Sequence, residues 1–331
     1  MDFFKRYGAP ALLVCQSHVS RYRRAWVVVC ILVAFIFGVI VTSAPANFSL
    51  TIVAIPQGTS APEVVRILTD AHVIKHPSLL RFALRVSGAS NSVQAGAYRF
   101  SKPQNVLTVA YRLIMGDYDL PTVRITFPEG ITIREATVFV AGAFPLISAT
   151  AFQKAAGPYE GYLFPDTYFF SPGADAESIV ETMRANFNTK ITSLASDLAA
   201  SGRSLSDIVI MASLVEKEAR SIPHKRTVAG ILYNRLALGM PLQVDAVFGY
   251  IYGRDTYSPS FDDLKVDSPY NTYIHTGLPP GPIDNPGLDS LEAVLHPTKT
   301  NYLYYLTGID GFMHYATTYA GHQANQKKYL R

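Results

Sequence analysis

Two glutamates close an apolar stretch at residues 211–220, MASLVEKEAR. A carboxyl held out of water is one of the few groups that can hand over a proton near neutral pH. A free glutamic acid titrates near pH ~4.3, so moving it to about 6–7 takes roughly 3–4 kcal/mol of destabilisation of the anion. An apolar helix face supplies this by excluding solvent. On a helix, Met211, Val215 and Glu218 fall at i, i+4 and i+7, so Glu218 continues an apolar line. Glu216 leaves the same helix about 160° away. Beside Lys217 and four residues before Arg220, it is expected to be a solvated ion-pair partner. Apolar residues surround most of this helix, so the pattern alone does not exclude an ordinary solvated helix end.

The elements that must position these acids read as α+β. NFSLTIVA (residues 47–54) is expected as a strand, followed by a helix with Pro62 in its first turn, a second helix at SLLRFALRV, and a strand at GAYRF. This β-α-α-β unit precedes a helix capped by Asn105 and ended by Gly116. A strand at residues 121–130 leads to TIRE, where Thr132 and Glu135 fit a capping box. Residues 174–200 read as one helix, and Ser204 to Asp207 open the helix of the two glutamates. Helical periodicity fades from Gly239. GLPPGPIDNPG (277–287) is expected as a rigid loop walling a cleft through its backbone. NYLYYLTG reads as a strand, and the stretch from Met313 as a closing helix. Tyr162, Phe164 and Tyr168 suit either a sugar groove or core packing.

At 331 residues the chain has room for about two domains. Its apolar surplus lies at 25–44, AWVVVCILVAFIFGVIVTSA, an uncharged run about long enough to cross a hydrocarbon core of roughly 30 Å. A cleaved signal peptide has a shorter run of about 7–15 residues, so an uncleaved anchor is expected. Lys5, Arg6, Arg21, Arg23 and Arg24 precede the run against Asp2 alone, which keeps the amino terminus cytoplasmic. Five of the 29 basic and one of the 25 acidic residues lie in that lead, so the formal charge of +4 belongs to it entirely. The remainder is neutral, which argues against a nucleic-acid partner. Cys15 and Cys30 lie before and within the run, leaving no disulfide beyond it and no cysteine metal spacing. His314 and His322 stand eight apart with no third ligand at helical spacing, so no metal site is expected, and His296 reads as structural.

Longer motifs surround the glutamates: ASLVEKEA, VAGILYNRL at Val228–Leu236, GMPLQVDAV at Gly239–Val247, YNTYIHTGLPPGPIDNPG at Tyr270–Gly287 and HPTKTNYLYYL at His296–Leu306. From Phe48 to the C-terminus the chain resembles the MltG (YceG-like) family of endolytic murein transglycosylases, membrane-anchored enzymes that cut nascent peptidoglycan glycan strands. It departs modestly, with EKEAR where relatives often carry EKET. The resemblance implies that the second glutamate of EKEA, Glu218, is catalytic. It also implies a LysM-like module, so the expected divisions are a cytoplasmic segment 1–24, a transmembrane helix 25–44, a LysM-like module 47–120 and a catalytic domain 121–331. The expected location is the inner membrane, with the catalytic domain outside the cytoplasm. No cofactor is implied, and cell-wall synthesis proteins are the partners suggested.

The implied reaction needs one carboxyl. It protonates the oxygen leaving C1 of N-acetylmuramic acid, then acts as base while that sugar's C6 hydroxyl closes a 1,6-anhydro ring. Such cuts end strand elongation. Gln243, Asp245, Asn271 and Tyr273 are the polar groups expected around the sugar, since amides and hydroxyls suit acetamido and hydroxyl groups. The plainer reading is that Asn271 ties down a loop and Tyr273 packs beneath it. Two other functions compete: a muramidase-type hydrolase, which needs a second carboxylate such as Asp245, Asp262, Asp263 or Asp284, and a non-catalytic peptidoglycan-binding scaffold.

Overall fold

The computed structural model describes residues 8–89, 93–254 and 258–330. Asp2, Lys5 and Arg6, which carry part of the topology reading, lie outside them, as do the side chains of Cys15, Arg21 and Arg24. Two units separate by contacts, Met1–Pro121 and Thr122–Arg331.

Helix α1 (Gly8–Thr42) opens the first unit. Its stretch Ala25–Thr42 is long and apolar enough to cross a membrane, and none of it is buried in the protein. The helix stops two residues short of the expected end, where the Ser43 hydroxyl donates to the Ile40 carbonyl at 2.8 Å. Strand β1 (Thr51–Ile55), helices α2 (Ala61–Asp70) and α3 (Pro77–Val86), strand β2 (Gly96–Phe100) and helix α4 (Val106–Met115) follow. β1 is shorter and later than expected, because only Thr51–Ile55 finds a partner, antiparallel in β2 with Thr51 opposite Phe100. Pro62 and Pro77 sit in first turns, where a missing N–H is harmless. Asn105 accepts from Thr108 N, and Gly116 at φ 68° ends α4. Val53, Ile55, Leu68, Leu80, Leu84, Tyr98 and Phe100 form a core belonging to this unit alone.

The second unit begins with β3 (Val123–Thr126), α5 (Ile133–Ala143), α6 (Ala149–Ala156), β4 (Thr167–Phe170), α7 (Ala176–Ser193) and α8 (Ala195–Ser201). β3 and β4 pair antiparallel, with Val123 opposite Phe170. Thr132 and Glu135 close the capping box at the start of α5. The helix expected at 174–200 breaks at Leu194, whose N–H turns back to Ile191 and Thr192. Phe164 and Tyr168 are buried in core, which settles their two readings in favour of packing.

Helices α9 (Leu205–Glu218), α10 (Ile222–Ala237), α11 (Ala246–Tyr252) and α12 (Leu288–Leu295) build a further core of this unit. Every residue of α9 from Ile208 to Val215 is buried, which is why its periodicity is a poor guide to orientation. α11 and α12 lie where helical periodicity fades, since seven or eight residues are barely two turns. Strands β5 (Tyr304–Thr307) and β6 (Met313–Ala316) form a hairpin, and α13 (Tyr319–Tyr329) closes the chain. β6 replaces the front of the helix expected from Met313, because pairing with β5 overrides local preference.

Candidate functional site

α9 ends at Glu218, and Ala219 is already extended at φ −145°, ψ 144°. The two glutamates of this last turn diverge as the helical geometry requires, but Glu216 does not go to solvent. Its Oε1 accepts from Lys225 Nζ at 2.9 Å, and its Oε2 from Gly287 N at 2.9 Å and Ser290 Oγ at 2.6 Å. The Lys225 and Glu216 side chains are only 3% and 9% exposed, so the expected solvated pair with Lys217 or Arg220 is replaced by a buried one. That ion pair ties the end of α9 to α10 and to the start of α12. It holds the turn from which Glu218 projects.

Glu218 faces a cleft. Protein surrounds its carboxyl, while the residue keeps partial contact with solvent at the cleft mouth. Burial raises its pKa from the ordinary 4.5 to about 7; a hydrogen bond from Tyr305 opposes this, Asp245 adds to it, and Arg235 opposes it. Tyr305 Oη donates to Glu218 Oε2 at 3.0 Å. Burial, with the Glu218 charge beside it, pushes the Tyr305 hydroxyl well above the usual tyrosine range, so it stays a donor.

Two cavities of about 600 Å³ each meet at Glu218 and Asp245, which line both. The first is bounded by Thr132, Glu135, Lys217, Tyr250, Arg254 and Ile283 among others. The second is bounded by Arg235, Gln243, Tyr273, Tyr304, Tyr305 and His322 among others. Of the expected polar groups, Gln243, Asp245 and Tyr273 are therefore brought together with Glu218. Tyr273 donates to Asp245 Oδ1, and its own pKa is raised by burial first and by that bond second. Gln243 sits at φ 51°, a left-handed conformation that few residues other than glycine adopt. Its backbone is held there by donation to Thr272 O at 3.0 Å.

Asn271 is the exception. It is fully buried, with Nδ2 donating to Leu264 O and Val266 O, and Oδ1 accepting from Tyr273 N. Its amide is committed to the loop, so the loop-tying reading replaces the sugar-contact one. What it does for the site is to fix the backbone that carries Tyr273.

Sequence patterns did not single out Tyr305 or Arg235, although both stand in quoted motifs. Arg235 is buried and donates to Leu303 O at 2.6 Å and Leu242 O at 2.7 Å, clamping the approach to β5 against the segment that carries Gln243. His322 stacks on Tyr304 at 5.4 Å between ring centres, and burial lowers its pKa. His314 has its Nε2 3.0 Å from Asp310 Oδ2.

The loop at 277–287 is fastened by its side chains as well as its backbone. Asn285 accepts from Leu163 N and donates to Ile131 O and Glu160, and Ile283 N donates to Ser213 on α9. Glu160, raised to about 7 by burial, also accepts from Ile133 N at the start of α5. Asp284 is fully buried, lines neither cavity, and is pushed well above the carboxylate range by burial. Asp262 is exposed, and the half-buried Asp263 accepts from Ser260 N at 2.7 Å. Of the four aspartates considered as second carboxylates, Asp245 alone shares the cleft with Glu218.

The chain is similar to known proteins over most of its length. An endolytic murein transglycosylase of Bacillus subtilis (strain 168) is 32% identical over 90% of this chain and 90% of its own length. One from Streptococcus pneumoniae (serotype 2, strain D39) is 28% identical over 84% of this chain, which spans 58% of that longer protein. A crystal structure of a yceG-like protein from Listeria monocytogenes aligns with a TM-score of 0.57 at 29% identity, over 84% of this chain and 99% of that one. With the YceG-like family model matching residues 53–328, across parts of both units and the cleft, the chain belongs to the YceG-like family.

Proposed function

We propose that this chain cuts peptidoglycan glycan strands internally by lytic transglycosylation, with Glu218 as acid and then base. The observation that carries this reading is the position of Glu218 on the border of two cavities, with a pKa near 7. A strand lying through both cavities has sugars on either side of one protonated carboxyl, as cutting within a chain requires. Relatives named endolytic murein transglycosylase support the same reading.

In the first half, Glu218 gives its proton to the glycosidic oxygen while C1 of the muramyl sugar becomes cationic. Asp245 borders both cavities and stabilises that centre by its charge, and Tyr273 holds it in place. In the second half the Glu218 carboxylate, supported by Tyr305, takes the proton of the C6 hydroxyl as the 1,6-anhydro ring closes. Gln243 faces the second cavity, where its amide suits an acetamido group. Asn271 acts through the Tyr273 loop.

α1 is the single membrane anchor, with the amino terminus in the cytoplasm and the cleft outside the inner membrane, near newly made strands. The β1–α2–α3–β2 unit is a LysM-like module, and cell-wall synthesis proteins are the partners that fit this position. One observation favours a second reading: Asp245 beside Glu218 is the pair that a muramidase would need. Digestion of glycan strands in H₂¹⁸O separates the two. Transglycosylation gives anhydro ends without label; labelled reducing ends would establish hydrolysis instead.

A further inference from the structure

The Met1–Pro121 unit carries a charge imbalance that the cleavage reaction does not use. Between Ala71 and Gly116 the sequence holds Lys75, Arg81, Arg85, Arg99, Lys102 and Arg112, and no acidic residue. Arg99 pairs with Asp119 at 3.3 Å, and the buried Arg112 donates to the Arg99 and Asp117 carbonyls. Arg66 takes up Glu63 and Asp70. Among the described residues, Arg81 and Arg85 enter no ion pair.

α3 turns this imbalance into a face. Leu80 and Leu84 point into the core, whereas Ser78, Arg81, Phe82, Arg85 and Val86 are exposed, Phe82 at 60% and Val86 at 69%. A cavity of about 440 Å³ opens beside this face, lined by Ser60, Pro62, Ser78, Arg81, Phe82 and Arg85. Two guanidinium groups one helical turn apart, with serine hydroxyls beside them, suit a phosphate. An exposed aromatic between the arginines suits an apolar boundary. The location of the face supplies the occupant. Ser43, which follows the apolar helix, has its hydroxyl 3.0 Å from Nε2 of His76, the residue that precedes α3. The end of the membrane-crossing helix and the start of the cationic face are therefore joined.

We propose that the α3 face rests on the membrane surface where α1 emerges, with Arg81, Arg85 and the adjoining cavity taking the phosphate of an anionic phospholipid headgroup. Phe82 and Val86 lie against the acyl boundary. The inference rests on α1 spanning the bilayer and is independent of Glu218.

The test uses the full chain in nanodiscs, with Cys15→Ser, Cys30→Ser and a spin label at Val86→Cys, in phosphatidylcholine with or without phosphatidylglycerol. With the anionic lipid, the label gains access to oxygen and loses access to a water-soluble nickel chelate. Arg81→Gln with Arg85→Gln lowers the ratio of membrane-contacting to free α3 roughly thirty-fold, from about 1 kcal/mol per basic residue. Both arginines are exposed, so melting of the double variant stays unchanged, and added salt acts in the same direction as the substitutions. Equal aqueous access in the two disc types, or in both arginine states, would overturn the proposal. Displacement of the label by millimolar inorganic phosphate or by soluble glycan strands would overturn the lipid assignment. A chain that fails to enter discs would remove the premise about α1 and leave the reading of the cleft untouched.

Discussion

Replacing Glu218 with glutamine should stabilise the Thr122–Arg331 unit, and only where an ordinary glutamate would be ionised. In the folded chain Glu218 keeps its proton up to about pH 7, against an ordinary value of 4.5, chiefly through burial. The unfolded chain releases that proton at lower pH. Stability is therefore intact below about 4.5, falls as pH rises through the window to about 7, and is level beyond it. At 1.36 kcal/mol per pH unit the full penalty is about 3 kcal/mol, and water at the cleft mouth reduces it to about 2. For a unit of this size about 1 kcal/mol moves Tm by roughly 2–4 °C, so the variant gains about 4–8 °C at pH 8 and nothing at pH 4. Glutamine keeps an oxygen for Tyr305, so the packing is preserved. Calorimetry of wild-type and Glu218→Gln chains in detergent at pH 4, 6 and 8 measures this directly. A Tm difference that is the same at all three pH values, or a loss at pH 8, would refute a burial-raised carboxyl.

Other substitutions separate the roles around it. Tyr305→Phe removes a bond that holds the Glu218 pKa down, so the basic limb of the pH–rate profile should move up by about one unit, given ~1.5 kcal/mol for a hydrogen bond to a charged group. Glu216→Gln leaves Lys225 buried without its partner, which should cost about 3–5 kcal/mol in thermal unfolding while the pH–rate profile of the remaining folded enzyme keeps its shape. Asn271→Ala strands two carbonyls and one N–H, so it should destabilise by about 2–3 kcal/mol, and below the new melting temperature its effect through the Tyr273 loop should fall on kcat, with KM for glycan unchanged. A raised KM with unaltered stability would instead put that amide in the sugar site.

What the sequence disclosed is largely what a single turn of chain decides. Asn105 with Thr108, Thr132 with Glu135, Ser204 with Asp207, and the proline of α2 act over three residues or fewer, and all are readable, whereas Pro77, expected in the turn before α3, opens that helix instead. Elements that owe their form to a partner beyond one turn, or that span barely two turns, were not. β6 exists because β5 pairs with it, and α11 and α12 are too short to display a period. The site divides in the same way. The helical wheel separates Glu216 from Glu218 correctly. It cannot say that the side opposite Glu218 meets Lys225, Gly287 and Ser290 instead of water, since Ser290 lies 74 residues away. Tyr305 lies 87 residues from Glu218, and the alternation in NYLYYL marks a strand without saying which tyrosine will reach a carboxyl. Asn271 shows the opposite hazard, a polar residue with the right chemistry for a sugar whose every bond is made to its own loop.

The most direct test of the central claim is mass spectrometry of strand ends after nascent glycan is incubated with Glu218→Gln protein, folded by the calorimetric criterion above. A single carboxyl serving as both acid and base predicts that 1,6-anhydro ends fall by at least about 100-fold relative to wild type. Anhydro ends formed at the wild-type rate would contradict it.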